Sequence, residues 1–188
     1  NRSASAPAVR APEAAPTNAR PGLTHGRAVW LMALAALMWS IAGVVTRHEG
    51  VHLGIAAQTD GGLMVPVLRH AEALDLWACA AGIARLAEGA RTGRTPREEL
   101  TGSTITLTSL GALGGIASTP VINHPEVAIV GVNRMVERPM FRNGQVVARQ
   151  LMNLSSSFDH RVVDGMDAAQ FIQAMRALLE TPALLFVE

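Results

Sequence analysis

The chain has 188 residues and a net charge of +1, which gives enough length for one domain with a sizeable core but no charge excess that would favour nucleic acid binding. Its one cysteine, Cys79, excludes an intramolecular disulfide and fits a reducing compartment. Because Cys79 lies in an alanine-rich run, we expect a small buried helix residue there and not a nucleophile. All 16 basic residues are arginine.

The N-terminal residues form two segments that differ in composition. Residues 1–26 are rich in Ala, Pro, Ser and Arg and have no apolar period, which predicts a disordered segment. Residues 28–46 contain no charge, and a helix of that length would span about 28 Å, close to the thickness of a hydrocarbon core. We therefore predict a hydrophobic helix over residues 27–47 that could cross a membrane; a buried helix of a soluble core is the alternative. The stretch resembles the first helix of the drug/metabolite-transporter superfamily, and a rearrangement that joined residues 1–50 to the rest is a third interpretation.

Strand and helix patterns begin at Val51. Residues 51–57 alternate between apolar and other side chains, and residues 59–62 form a turn signal before a second strand over residues 63–68. Pro66 cannot donate a hydrogen bond to a sheet, so the second strand should lie at an edge or be interrupted there. The next apolar period predicts a helix over residues 74–92 that ends at Gly93 and buries Trp77, Ala80, Ala81, Ala84 and Ala87.

Two further predictions concern polar residues near these elements. The run Thr95-Pro96-Arg97-Glu98 has the pattern of a capping box and predicts a short helix with Thr95 as its N-cap. His52 and His70 should be solvated at the ends of strands, and no second ligand lies at a spacing suited to a metal ion. We therefore expect no metal site.

The remaining elements follow in the C-terminal half. A strand over residues 101–110 leads into a glycine-rich loop, residues 111–115, which lacks GxGxxG and Walker spacing, so we exclude nucleotide binding through these motifs. The apolar run 127–132 predicts a central strand, and Asn143-Gly144 predicts the turn of a hairpin over residues 138–152. A final helix should be capped by Asp167, end before Pro182, and bury Phe171, Ile172, Met175, Leu178 and Leu179. Helices packed on a sheet give an α/β two-layer sandwich.

Residues 155–165 read Ser-Ser-Ser-Phe-Asp-His-Arg-Val-Val-Asp-Gly and concentrate proton-handling groups. An imidazole can accept and return a proton near neutral pH, so His160 is the candidate base of a catalytic loop. Asp164 could orient that loop, and Gly165 permits a tight turn into the next helix. The alternative is a surface loop with solvated charges in which Asp164 caps the next helix.

Residues 152–165 resemble the DHRxxDG signature of the dihydrolipoamide acyltransferases, the core components of 2-oxo acid dehydrogenase complexes, which share their fold with chloramphenicol acetyltransferase. Three more segments are similar to that family in the same order: residues 107–115, 119–123 and 125–129. Residues 132–139 and 185–188 resemble its branched-chain (2-methylpropanoyl) member. The resemblance covers residues 51–188 and implies a partial catalytic domain, because the family's domain extends further before the point that matches Val51.

The resemblance implies acyl transfer between the thiols of dihydrolipoamide and coenzyme A, with coenzyme A as a substrate and no metal. His160 matches the family's base, Thr108 its oxyanion-stabilising hydroxyl, and Asp164 the aspartate that holds the active-site loop. Ser109 and Asn133 match positions that contact coenzyme A. Because the family's lipoyl group is attached to lysine and this chain has none, that group has to come from another chain or as free dihydrolipoamide.

The resemblance also implies partners and a location. Catalytic centres of the family lie between the subunits of a homotrimer, trimers form a larger cubic core, and the dehydrogenase and dihydrolipoamide dehydrogenase components bind to it. A cytoplasmic location follows, with membrane association through residues 28–46 as the alternative. Two other functions stay open: a catalytically inactive truncated or fused fragment, and a chloramphenicol-type acetyltransferase, against which the branched-chain-like residues 108–123 argue. A truncated domain should also leave unpaired sheet edges.

Overall fold

The computed structural model describes residues 50–186. The disordered segment predicted over residues 1–26 and the hydrophobic helix predicted over residues 27–47 lie outside the described residues. Across residues 50–186, no helix combines the length and the apolar character that are needed to cross a membrane.

The described chain forms nine strands and two α-helices. The strands are β1 Leu53–Ile55, β2 Ala57–Thr59, β3 Gly62–Met64, β4 Val67–Leu68, β5 Ile105–Thr108, β6 Ala128–Val132, β7 Val136–Arg142, β8 Gln145–Leu151 and β9 Leu154–Phe158. The helices are α1 Leu76–Arg91 and α2 Gly165–Glu180, and short 3₁₀ turns lie at Ala71–Ala73, Arg97–Leu100, Gly111–Leu113 and Pro182–Phe186.

Five strands form the central sheet, in the order β4-β1-β5-β6-β9. Strands β1, β5 and β6 run parallel, while β4 and β9 are antiparallel to their neighbours and lie at the two edges. The pairs β2–β3 and β7–β8 form separate two-stranded hairpins. Strands inside a parallel sheet are usually covered on both faces, and every residue of β6 is buried. This confirms the central strand predicted over residues 127–132.

One hydrophobic core lies between the sheet and both helices. Alternate residues of the central strands, such as Leu107 and Val130, pack in one cluster with Leu86 of α1 and Met175 of α2. Because alternate side chains of a strand point to opposite faces, both helices lie on the same face of the sheet. Full burial of a side chain such as Leu86 contributes roughly 2 kcal/mol to stability. The structure therefore confirms the predicted α/β two-layer sandwich.

Loops cover the second face of the sheet. There the buried Glu126 carboxylate accepts hydrogen bonds from Thr106 Oγ1 (2.8 Å), Asn123 Nδ2 (2.9 Å) and the Ser103 hydroxyl. A buried carboxylate is costly unless it has such donors. Glu126 thus ties the loop that precedes β6 to the strand that ends at Thr108.

Two turn predictions are confirmed. Asn143 and Gly144 have φ values of 50° and 77° at the tip of the β7–β8 hairpin, where a two-residue primed turn requires left-handed backbone. The second predicted strand is interrupted before Pro66, and the part after the interruption, β4, is an edge strand. The proline can stay inside the fold because its carbonyl accepts a hydrogen bond from the backbone N–H of Ile55 (2.8 Å).

The buried face of α1 differs from the prediction. Trp77 is 67% exposed, and the buried residues are Leu76, Cys79, Ile83, Leu86 and Ala90. A stripe of Leu and Ile buries more apolar area than the predicted stripe of alanines, so the helix turns that stripe towards the sheet. Burial and the Asp75 carboxylate raise the pKa of the Cys79 thiol to about 11, which confirms a buried helix residue that is unsuited to act as a nucleophile.

Two predicted helix caps are wrong. Thr95 caps no helix, because the 3₁₀ turn Arg97–Leu100 begins after Pro96, and the Thr95 hydroxyl is buried without a partner among the described residues. The N-cap of α2 is Asp164, not Asp167. A capping oxygen has to reach the N–H groups two or three residues ahead, and Asp167 lies inside the first turn, where its charge favours the helix dipole instead.

The structure also divides the predicted catalytic loop. Residues 155–158 belong to β9, and only residues 159–164 form a turn. The strand is missed because three serines lack the β-branched and aromatic side chains that are typical of strands.

His52 and His70 are not simply solvated. Their rings meet edge to face with centroids 4.8 Å apart, and Nδ1 of His52 accepts a hydrogen bond from the backbone N–H of His70 (3.2 Å). Burial, with smaller contributions from His70 and Arg69, lowers the pKa of His52. In the part of the chain that the structure describes, no three His, Cys, Asp or Glu side chains are grouped so as to hold a metal ion.

Candidate active site

His160 is exposed in a tight turn between β9 and α2. The turn begins where the backbone N–H of Asp159 donates to the carbonyl of Val127 (2.8 Å), in line with the end of the sheet. The Asp159 carbonyl then accepts hydrogen bonds from the backbone N–H groups of Val162 and Val163, both at 3.0 Å. The backbone on both sides of His160 is therefore held by the turn, while its imidazole points outside the core.

The two charged neighbours of His160 bind each other and not the imidazole. The guanidinium of Arg161 donates to both carboxylate oxygens of Asp159, at 2.9 Å from Nε to Oδ1 and 2.6 Å from an Nη to Oδ2. The backbone N–H of Arg161 adds a third hydrogen bond to Oδ1 (3.0 Å). These bonds to Arg161 lower the pKa of Asp159 to about 2. The pair closes the turn beneath His160.

Replacing Arg161 with alanine should raise the pKa of Asp159 from about 2 towards 3.8. Because the pKa of Asp159 is lower in the folded chain, its ionised carboxylate stabilises the turn fully at pH values above the ordinary pKa of 3.8. That stabilisation is lost as the pH falls through about 2. A carboxyl-carbon NMR titration of both proteins measures the change. Arg176→Ala, which removes a surface ion pair with Glu180 elsewhere, is the control and should leave Asp159 unchanged. An unaltered Asp159 titration in Arg161→Ala would contradict the assignment.

Asp164 fixes the other end of the turn. Its Oδ1 accepts hydrogen bonds from the backbone N–H groups of Met166 (2.8 Å) and Asp167 (2.9 Å), and α2 starts at the next residue, Gly165. This is the capping arrangement that the sequence analysis kept as an alternative. A cap and an orienting role are compatible, because the cap determines where the turn that carries His160 ends.

Thr108, Ser109 and Asn133 line one cleft of about 230 Å³. Thr108 is the last residue of β5 and faces away from the helices, on the side of the sheet that loops cover. The opposite side of the cleft is formed by Gly114 and Gly115 of the glycine-rich loop and by residues 117–120. We call residues 116–120 the wall segment. Three of the five predicted site residues therefore lie together.

Ser109 and Asn133 also have structural contacts. The Ser109 hydroxyl accepts a hydrogen bond from the backbone N–H of Gly111 (3.2 Å), which shapes the loop after β5. The Asn133 side chain is buried, and its Nδ2 donates to the Asn153 carbonyl (3.0 Å) and the Ser155 hydroxyl (2.8 Å). Contact of either residue with coenzyme A stays a prediction.

His160 lies at the opposite end of the sheet from Thr108. Thr108 is level with Gly131 of β6, which is paired with Ser155 of β9. From there β9 continues for three residues to Phe158 before the turn that carries His160. At about 3.3 Å per residue and 4.8 Å between strands, the two positions are separated by about 14 Å or more. A base acts within hydrogen-bond reach, about 3 Å, so one chain does not bring His160 to its own Thr108.

The sequence analysis misses the polar residues that hold this cleft. Side chains of Asn153, Ser155 and Ser157 bind the backbone of the wall segment, and Glu126 holds the residues that follow it. The sequence signal for Asn153, Ser155 and Ser157 is that they are alternate residues, which share one face of an extended chain. Three consecutive serines hide that alternation, because the sequence does not indicate which hydroxyls share a face.

The model of the family described as 2-oxoacid dehydrogenases acyltransferase (catalytic domain) matches residues 34–187. The chain belongs to this family. The family match begins within residues 28–46, earlier than the predicted boundary at Val51, and the comparisons do not support the transporter resemblance of that stretch.

Curated relatives in the family differ in how similar their sequences are to this chain. The lipoamide acyltransferase component of the branched-chain alpha-keto acid dehydrogenase complex of Pseudomonas aeruginosa is 73% identical over 147 residues, which is 78% of this chain and 34% of that protein. The dihydrolipoyllysine-residue acetyltransferase component of the pyruvate dehydrogenase complex of Staphylococcus epidermidis is 42% identical over 147 residues, again 78% of this chain and 34% of the relative. The chain thus spans about a third of the length of the curated relatives that it matches.

A solved member of the family supports the fold. Azotobacter vinelandii dihydrolipoamide acetyltransferase matches with a TM-score of 0.73 and 34% identity over 85% of this chain and 70% of that chain. That structure concerns the role of a serine, a histidine and an asparagine in the catalytic mechanism of the Azotobacter enzyme. Its serine precedes the histidine by 52 residues, and its asparagine follows by four.

Proposed function

We propose that this chain forms the catalytic part of an acyltransferase that moves an acyl group between the thiols of dihydrolipoamide and coenzyme A. The observation that carries the proposal is the spacing of Thr108, His160 and Asp164, which equals that of the serine, histidine and asparagine of the Azotobacter enzyme. Threonine supplies the same hydroxyl as serine. Aspartate and asparagine are both good N-caps, and Asp164 caps the helix that follows the histidine turn.

The chemistry follows from the two side chains. His160 accepts the proton of the attacking thiol, and the thiolate adds to the thioester carbonyl to give a tetrahedral oxyanion. The Thr108 hydroxyl donates a hydrogen bond to that oxyanion; loss of such a donor costs about 3 kcal/mol of transition-state stabilisation. The intermediate then expels the second thiolate, which recovers the proton from His160. No metal takes part in these steps.

The separation of His160 from Thr108 supports a site made of two copies of the chain. In such a site the histidine turn of one copy faces the Thr108 cleft of its neighbour. A head-to-tail contact of this kind closes into a ring when the rotation permits, which agrees with the homotrimer that the resemblance implies. A larger cubic core, and binding of the dehydrogenase and dihydrolipoamide dehydrogenase components, are part of the same proposal.

We assign the substrates from the identities and from the composition. The 73% identity to a branched-chain component, against 42% to an acetyltransferase component, favours a branched acyl group such as 2-methylpropanoyl. Coenzyme A would enter the cleft beside Ser109 and Asn133. Since these 188 residues include no lysine, the lipoyl group is carried elsewhere or arrives as free dihydrolipoamide. The free thiol of Cys79 fits the cytoplasm.

The purified chain should transfer 2-methylpropanoyl from its coenzyme A thioester to dihydrolipoamide, with a kcat/KM about tenfold or more above that for acetyl-CoA. The added methyl groups account for a difference of this size in a fitted apolar pocket. Once sedimentation has shown that the chain is assembled, the acyl-dihydrolipoamide and free coenzyme A that are formed are separated from the acyl-CoA by chromatography and quantified over time. An assembled chain without turnover would contradict the proposed function and favour the inactive-fragment interpretation. Equal use of both thioesters would contradict only the acyl assignment.

A further inference from the structure

Three polar side chains, Asn153 just before β9 and Ser155 and Ser157 within it, bind the wall segment at regular intervals. Nδ2 of Asn153 donates to the Ile116 carbonyl (2.6 Å), the Ser155 hydroxyl accepts from the backbone N–H of Ser118 (3.1 Å), and the Ser157 hydroxyl donates to the Pro120 carbonyl (2.5 Å). The sequence separation is 37 residues in all three pairs. The wall segment therefore runs alongside β9 in the same direction and in one register.

These side-chain bonds replace the backbone pairing that a strand would have. No residue of the wall segment belongs to a strand of the described structure. The segment comes close to β6 at Gly131, where an added Cβ would lie 2.9 Å from the Ser118 hydroxyl oxygen and 3.0 Å from the Ser155 carbonyl oxygen. The close approach requires a residue without a side chain, so the segment is packed tightly against the sheet at its centre and held by the three bonds along its length.

The wall segment forms one side of the cleft that contains Thr108. Ala117, Ser118, Thr119 and Pro120 line that cleft, opposite the end of β5. A loosened wall would leave Thr108 itself in place, since Thr108 belongs to β5 and its neighbour Thr106 is held by Glu126. The side chains of Asn153, Ser155 and Ser157 therefore act on how a ligand is held in the cleft more than on the oxyanion hydroxyl.

We propose that Asn153, Ser155 and Ser157 are positioning residues that fix the wall segment and thereby set the affinity of the cleft for the coenzyme A side of the substrate. The inference rests on the proposed function, because it assigns this cleft to coenzyme A. It predicts a selective effect on KM, since the group lost in each variant touches neither the base nor the oxyanion.

β9 supplies its own matched control. Ser157 and Ser156 are adjacent in the strand, but the Ser156 hydroxyl is buried and has no hydrogen-bond partner among residues 50–186. Ser156 also points to the helix side, because it pairs with Val130 of the core. Ser157→Ala and Ser156→Ala thus remove the same group from the same strand, and only the first removes a bond to the cleft wall.

Ser157→Ala should raise the KM for the coenzyme A thioester about fivefold, the ratio that one ordinary hydrogen bond represents, while kcat changes by less than about twofold. Ser156→Ala should leave both constants at wild-type values. Ser157→Thr, which keeps the hydroxyl, should restore the KM. Asn153→Asp should raise the KM as well, since a carboxylate cannot donate to the Ile116 carbonyl; Asn153 is exposed, so this variant answers the question even if Ser157→Ala does not fold.

The outcomes separate the inference from the proposed function. Wild-type turnover together with a KM rise in Ser157→Ala and Asn153→Asp, but not in Ser156→Ala, supports both. Wild-type turnover with equal KM values in the wild type and in the Ser157→Ala, Asn153→Asp and Ser156→Ala variants overturns the inference. It leaves the proposed function standing. A wild-type chain that is assembled and shows no turnover overturns the proposed function and the inference with it.

Discussion

Replacing His160 with alanine is expected to lower kcat for acyl transfer by about 10³-fold, within the range that general acid–base catalysis contributes. The thiol attacks as a thiolate, and His160 is the proposed group that takes its proton. The KM for the coenzyme A thioester should change little, since the cleft that would hold it is lined by other residues. Initial rates at saturating thioester and dihydrolipoamide measure the effect.

The structure predicts that this loss is not caused by unfolding. His160 is exposed, and the turn around it is held by Asp159, Arg161 and the Asp164 cap. The free energy of unfolding of His160→Ala, from chemical denaturation, should therefore stay within about 0.5 kcal/mol of the wild type. A stable variant that keeps more than a tenth of the wild-type kcat would remove His160 from the mechanism.

An equal mixture of His160→Ala and Thr108→Ala chains, unfolded and reassembled together, should recover about a quarter of the wild-type activity. Each variant alone should retain less than about one hundredth, because each lacks either the base or the oxyanion donor at every site. In a random mixture, half of the histidine turns and half of the Thr108 clefts are intact, so one site in four combines both. This recovery of activity is expected because His160 and Thr108 of one chain are separated by about 14 Å or more.

The control for this experiment is a chain with both substitutions. Mixed with His160→Ala, it should recover no activity, because no intact histidine turn is present. If the two single variants together give only the sum of their separate activities, the site is contained in one chain and the two-copy arrangement is wrong.

Local signals in the sequence predict much of this fold. Asn143-Gly144 defines its hairpin because only left-handed backbone closes that turn, and Pro66 interrupts its strand because it has no N–H to donate. The apolar run 127–132 becomes the buried central strand because a strand that is covered on both faces needs apolar residues throughout. Predictions that required a choice between two faces of a helix, or between two possible N-cap residues, were wrong. Trp77 is exposed because a stripe of Leu and Ile buries more area, and Asp164 takes the capping position that Asp167 was expected to hold.

For the candidate site, too, the sequence predicts the local features and not the long-range arrangement. The motif around His160 indicates the chemistry, and the resemblance supplies Thr108, Ser109, Asp164 and Asn133. Neither indicates that His160 and Thr108 lie at opposite ends of the sheet, because that follows from the order and direction of β5, β6 and β9. Strand order is a property of long-range pairing, which a residue pattern within one strand does not contain.

The bonds between β9 and residues 116–120 also determine where this domain can change in length. From Asn153 to Ser157 the side chains donate, accept and donate, and the facing backbone groups are a carbonyl, an N–H and a carbonyl. An insertion of one residue within 116–120 would turn the backbone groups beyond it away from their partners, because these groups alternate with a period of two along an extended segment. An insertion at Asn143-Gly144 would leave every one of these pairs intact, because the β7–β8 hairpin lies outside the central sheet. We therefore expect loop grafts and tags to be tolerated at the hairpin tip, whereas the length of the 116–120 segment has to stay fixed for its three bonds to form.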